Sequence, residues 1–120
     1  MDLRLVSLSE PSETRHFEKG KFELYVVGPA TIGRATYEPG WKWSEHVGPA
    51  LGKTSCDVEH VGFVVSGRAV AKMDDGTEAL MEAGEFFYVP PGHDSWVVGD
   101  DPYISLHILG SEDYAAPDAG

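Results

Sequence analysis

Glycine and proline interrupt this chain at intervals too short for helices. From residue 22 onward each apolar run is closed within one strand length by Pro39-Gly40, Ser66-Gly67, Asp75-Gly76, Ala83-Gly84, Pro91-Gly92 or the stretch Gly99-Asp100-Asp101-Pro102. Proline fixes φ and lacks an N–H, while glycine admits positive φ, so either one ends a regular element. Between the breaks lie FELYVVG, TIGRATYE, WKWSEHV, CDVEHVGFVVSG, RAVAKM, TEALMEA, GEFFYVP, HDSWVV and YISLHIL. Each is strand-sized, and none carries the 3.6-residue period of an amphipathic helix. In WKWSEHV the alternation puts Trp41, Trp43 and Glu45 on one face and Lys42, Ser44 and His46 on the other. In the CDVEHVGFVVSG run, Cys56, Val58, His60, Gly62 and Val64 share one parity and Val61, Phe63 and Val65 the other. DDGT is a hairpin signal, because Asp-Gly supplies the positive φ of a tight turn.

About nine such strands in one open antiparallel sheet would leave long unpaired edges, so the chain is expected to close into an all-β barrel or a two-sheet jelly roll. The expected organisation is an N-terminal arm over residues 1–21, a barrel over 22–110 and a flexible tail over 111–120. GPALGKTS reads as a long loop. His16, in the arm, receives no role.

Nine Lys and Arg against 20 Asp and Glu leave a formal charge of −11. Such a surface repels phosphate backbones and anionic membranes, so neither nucleic acid nor membrane is an expected partner. The single cysteine, Cys56, excludes an internal disulfide framework. MDLRLVSLSE lacks a basic start followed by an apolar run, and no stretch approaches the ~18 apolar residues of a membrane span, which leads to a cytoplasmic expectation. A chain of 120 residues buries roughly two thirds of its unfolded surface unaided, so a bound metal would serve function rather than folding.

The order of glycines, prolines and histidines from Gly40 onward resembles the cupin superfamily of small β-barrels. The first cupin motif runs glycine, five residues, His-x-His, three or four residues, Glu, six residues, glycine. Here Gly40 precedes His46 by five intervening residues, and His60 precedes Gly67 by six. The second motif runs glycine, five residues, Pro-x-Gly, two residues, His. Gly84 is followed by five residues and then Pro90-Pro91-Gly92, with Ser95 at the histidine position. The resemblance implies an antiparallel double-stranded β-helix whose three histidines and one glutamate hold iron, manganese, nickel or zinc. This chain keeps His46, has Gly48 and Ser95 in place of the other two histidines, and has His60 in place of the glutamate. A group of small stand-alone cupins and cupin modules without an agreed activity is similar over the WKWSEHV, GKTSCDVEHVGFVVSG and PPGHDSWVVGD stretches.

Replacement ligands stand near the lost ones. His93 lies two residues before Ser95, on the same strand face, directly after a Pro-Pro-Gly corner that aims its side chain. His60 is suited to ligation or to a core position satisfied by hydrogen bonds. Cys56 precedes His60 by four residues, which in extended strand is ~13 Å, too far to share an ion with bonds of ~2.0–2.3 Å unless the chain bends at Asp57-Val58. A buried thiol filling apolar space is the alternative. His46, Cys56, His60 and His93 are therefore the candidate metal ligands. His107 lines the barrel or faces solvent. Asp94 and Trp96 take the parity opposite to His93, with Asp94 free to hydrogen-bond backbone at the corner.

An imidazole-rich set points to zinc or iron, with nickel or manganese also open, and away from calcium and magnesium. Three functional readings follow. The barrel binds a divalent metal or small polar ligand, or acts as a metal-dependent dioxygenase, isomerase, lyase or hydrolase, or senses a ligand without metal. The resemblance also implies a homodimer, formed through edge strands near the N-terminus.

Overall fold

Alternating burial within short strands builds two sheets around one core. The computed structural model describes residues 3–112 and 114. Its strands are β1 (Glu13–Phe17), β2 (Gly20–Val27), β3 (Ala30–Tyr37), β4 (His60–Ser66), β5 (Arg68–Met73), β6 (Glu78–Glu82), β7 (Phe86–Val89), β8 (His93–Val97) and β9 (Tyr103–Leu109). One sheet has the order β1-β2-β3-β9-β4-β7 and the other β6-β5-β8, with every pairing antiparallel. The all-β jelly-roll expectation holds. Tyr103, Ser105 and His107 of β9 point inward, as do His60 and Val64 of β4. They meet a core that includes Phe22, Tyr37, Trp41 and Val97.

Three expectations need correction. WKWSEHV is not a strand. Lys42 makes one bridge to Trp96, and the chain then turns into two short helices, α1 (Trp43–His46) and α2 (Gly48–Leu51). The cause is Asp94, whose Oδ1 accepts from the Ser44 N–H at 3.0 Å and whose Oδ2 accepts from the Ser44 hydroxyl at 2.7 Å. Those bonds satisfy a donor that a strand would have sent to a ladder. The supposed GPALGKTS loop opens with α2, which has proline in its first turn and stops at Gly52 with φ 69.

The arm over residues 1–21 is not separate from the sheet. Glu13–Phe17 pairs along its whole length with β2, from Glu13↔Leu24 to Phe17↔Gly20, and the sheet therefore starts before residue 22. Within the expected tail, Ser111 and Tyr114 are buried, at 2% and 3% exposure. The rest of that expectation, at residues 113 and 115–120, lies outside the described residues.

Gly62 shows how tightly the sheets close beside His60. It pairs with Phe87 on one side and His107 on the other. A Cβ there would overlap the Leu106 carbonyl oxygen and the Phe87 ring. Gly62→Ala is expected to cost about 2 kcal/mol or more in urea unfolding, in the range of overpacked cores. Gly28→Ala, where a Cβ would meet nothing but φ is +59, is expected to cost about 1–2 kcal/mol from backbone strain alone.

Candidate functional site

The site forms where two strands begin and a bent segment passes between them. His60 opens β4 and His93 opens β8. Cys56 precedes His60, but residues 57–59 are not strand, so the separation of a straight extended segment does not apply. Backbone bonds hold this bend: the Cys56 N–H donates to the His93 carbonyl at 2.7 Å, and the Cys56 carbonyl accepts from Gly92 at 2.8 Å and His93 at 3.1 Å. The thiol consequently lies 3.6 Å from His60 Nε2.

Cys56, His60 and His93 offer ligand atoms that all lie within 4.8 Å of one another. All three residues are buried, at 2%, 4% and 3% exposure. His93 Nδ1 donates to the Pro90 carbonyl at 2.8 Å, which leaves a lone pair on Nε2. The Pro-Pro-Gly corner thus orients the imidazole through a backbone oxygen. Tetrahedral bonds of ~2.3 Å to sulfur and ~2.0 Å to nitrogen put those two atoms about 3.5 Å apart. The Cys56–His60 separation fits such an ion.

Burial keeps these groups uncharged. It raises the Cys56 thiol to about 12. It lowers His60 to about 2, helped by the neighbouring His107 and His93. His93 is also lowered, again chiefly by burial. The metal-free site is therefore a neutral thiol beside neutral imidazoles.

Behind the cluster lies a cavity of about 30 Å³, walled by His60, His93, His107, Tyr37 and Tyr114 among others. That space holds about one water. His107 Nε2 shares a hydrogen bond with the Ser105 hydroxyl at 3.0 Å. Among the described residues, the Nδ1 atoms of His60 and His107 and the Trp41 indole N–H have no hydrogen-bond partner. Ser95 lines the same cavity as His93, in keeping with their shared strand face.

His46, the fourth candidate, is placed elsewhere. Its Nδ1 accepts from the Lys42 N–H at 2.9 Å, and its Nε2 lies 3.6 Å from Glu18 Oε2. The helical turn of α1 carries its side chain back onto its own backbone, and it is not in the Cys56, His60 and His93 group. Sequence reasoning missed Tyr114, which reaches the cavity from beyond the last strand. The available signal was a lone aromatic in a tail of small and acidic residues.

No family model and no curated protein matches the sequence. Solved structures match the fold. A structural-genomics protein of unknown function from Rhizobium leguminosarum superposes with a TM-score of 0.64 at 22% identity, over 91% of this chain and 97% of its own. A cupin-like protein from Thermotoga maritima gives 0.58 at 13% identity, over 93% and 86%. A cupin 2 conserved barrel domain protein from Salinispora arenicola gives 0.58 at 16%, over 90% and 87%. The chain has a cupin fold.

Within this cupin barrel the buried histidines set the acid limit. Burial lowers His107 to about 3 and His60 to about 2, against an unfolded value near 6.5. The unfolded chain then binds more protons than the folded one, so stability is complete above about pH 6.5 and falls as the pH drops below it. Two such groups give a slope approaching about 2.7 kcal/mol per pH unit in metal-free protein, read from urea midpoints between about pH 6 and 5. His107→Gln is expected to lower that slope by up to about 1.4 kcal/mol per pH unit. An unchanged slope would show that His107 is not held neutral.

Proposed function

We propose that this cupin binds a divalent metal ion through Cys56, His60 and His93, with a water-sized position open to the barrel cavity. The observation that carries the reading is the convergence of three buried donor atoms within 4.8 Å, from residues separated by up to 37 positions. One thiolate with two imidazoles suits zinc or iron best and nickel next, whereas manganese prefers oxygen donors. When bound, such an ion supplies a Lewis acid and lowers the pKa of its water. The chain's own part is to orient His93 through Pro90, to fix Cys56 by backbone pairing and to keep bulk water out. The cavity of about 30 Å³ limits whatever shares the interior to about one water's volume while the walls stand as they are. The fold by itself carries no reaction class. A metal-dependent enzyme would act at these same three residues.

We also propose a second copy of the chain as partner, but not through the N-terminal edge. There β1 presents Glu13 and Arg15, paired with each other at 2.6 Å. The opposite edge strand, β7, exposes Phe86 at 77% and Tyr88 at 59%, with the Phe63 ring 4.8 Å from Phe86. An antiparallel edge of this kind matches its own copy across a twofold axis. No helix among the described residues is long and apolar enough to cross a membrane.

Elemental analysis of tag-free protein is expected to find close to one zinc or iron per chain. Cys56→Ser, His60→Ala and His93→Ala should each weaken metal affinity by about tenfold or more, and His46→Ala should leave it unchanged. Cobalt titration should give a sulfur-to-metal charge-transfer band that Cys56→Ser abolishes. Protein without metal, whose uptake none of the three variants alters, would sink the proposal. In sedimentation, Phe86→Glu is expected to convert a dimer to monomer; a wild type that is already monomeric at high concentration would exclude the β7 interface.

A further inference from the structure

Tyr114 stands apart from the rest of the cavity wall. The walls come from strands and from Trp41, whose carbonyl is tied to β8 by the Val97 N–H at 3.0 Å. Tyr114 instead follows β9 by way of Gly110, at φ +90, and Ser111, whose hydroxyl donates to the His107 carbonyl at 2.8 Å. From outside, Arg15 of β1 reaches over this segment, and its Nη1 donates to the carbonyls of Glu112 at 3.0 Å and Tyr114 at 2.7 Å. The described part of the segment is thus a strap, held by side chains rather than by a ladder.

The ring at its end is seated like a ligand. It lies edge-on to Phe22 with centroids 4.8 Å apart, and to His60 at 5.1 Å. The His107 ring lies roughly parallel at 6.0 Å. Its hydroxyl accepts from the Tyr37 hydroxyl at 2.6 Å, inside the barrel. With Tyr114 in place the cavity holds about 30 Å³. With it withdrawn, a ring-shaped space opens with aromatic walls and one hydroxyl at its polar end.

We propose that this space is a binding site for a small phenol-type ligand, a planar ring bearing one hydroxyl, and that Tyr114 is its displaceable internal occupant. The chemistry of the walls selects the class. Phe22 and the imidazoles offer edges and faces to a ring, and Tyr37 offers one hydrogen bond. Among the described residues no lysine or arginine lines the cavity, so a carboxylate or phosphate would enter without a counter-charge from them. The inference goes beyond the metal reading and does not rest on a metal being present.

The test uses metal-free full-length protein with p-cresol as probe and benzoate as control. Tyr114→Ala is expected to bind p-cresol about tenfold or more tightly than wild type, because no occupant has to leave first. Arg15→Ala, which frees the strap and leaves every wall residue intact, should bind with intermediate affinity. In wild type, saturating p-cresol should speed hydrogen exchange at Ser111 and Glu112, a change that a merely structural tyrosine would not show. Benzoate should bind none of the three. Failure of Tyr114→Ala to take up p-cresol, or equal affinity in wild type and Arg15→Ala, overturns the proposal. So does binding to wild type with the strap still protected. If Tyr114→Ala does not fold, the Arg15→Ala comparison and the wild-type exchange decide alone. Protein that binds p-cresol but takes up no metal would refute the metal reading and leave this one standing.

Discussion

The site depends on the pairing of one residue from each sheet's approach. Cys56 exchanges backbone hydrogen bonds with His93, donating at 2.7 Å and accepting at 3.1 Å. This short bridge fastens the segment entering β4 to the start of β8, although those strands belong to different sheets. Without it the stretch from Cys56 to His60 could run straight, and thiol and imidazole would lie ~13 Å apart along an extended chain. With it they lie 3.6 Å apart. The same bridge holds Gly92 of the Pro-Pro-Gly corner, and that corner orients His93. One pair of backbone contacts therefore brings all three donors together.

What these donors meet is a dry interior that tolerates polar groups only when they are neutral. His60, His93 and His107 all titrate below the ordinary histidine range, mainly because burial disfavours the imidazolium. Burial moves the Cys56 thiol the other way, to about 12. The phenols of Tyr37 and Tyr114 are likewise raised well above their usual range by burial. A cation entering among them would replace the thiol proton of Cys56, because the neutral imidazoles carry no titrating proton at neutral pH. The Cys56 thiolate would balance one of a divalent ion's two charges, and among the described residues no acidic side chain joins it in the cluster.

The sequence was most legible where backbone chemistry is local. Asp-Gly, Ser-Gly and Pro-Gly marked turns because each needs positive φ or a fixed φ, and strand parity placed His60 with Val64 and His93 with Ser95 on inward faces. The inward placing of His93 was readable because a separation of two residues from Ser95 conserves strand face. It failed where a distant residue decides the local form. WKWSEHV alternates like a strand, but Asp94, fifty positions away, claims the Ser44 N–H and turns the chain helical. That turn removes His46 from the cluster. The short helix α2 did carry a local signal, proline near its start and glycine at its end, in a stretch too brief to show a period. Strand β1 has only five residues, and its partner strand, not its own pattern, defines it.

His60 connects the two proposed occupants of the barrel. Its Nε2 faces the Cys56 thiol, and its ring meets Tyr114 edge-on at 5.1 Å. A rigid imidazole cannot shift toward an ion without changing its contact with the ring behind it. Its Nδ1 has no partner in the described structure, although a metal-bound histidine ordinarily fixes its second nitrogen with a hydrogen bond. A water in the adjoining cavity would supply that acceptor, whereas the hydroxyl of Tyr114 is engaged with Tyr37. Metal and that water would then favour each other through one side chain, and by linkage each would strengthen the other's binding by the same factor.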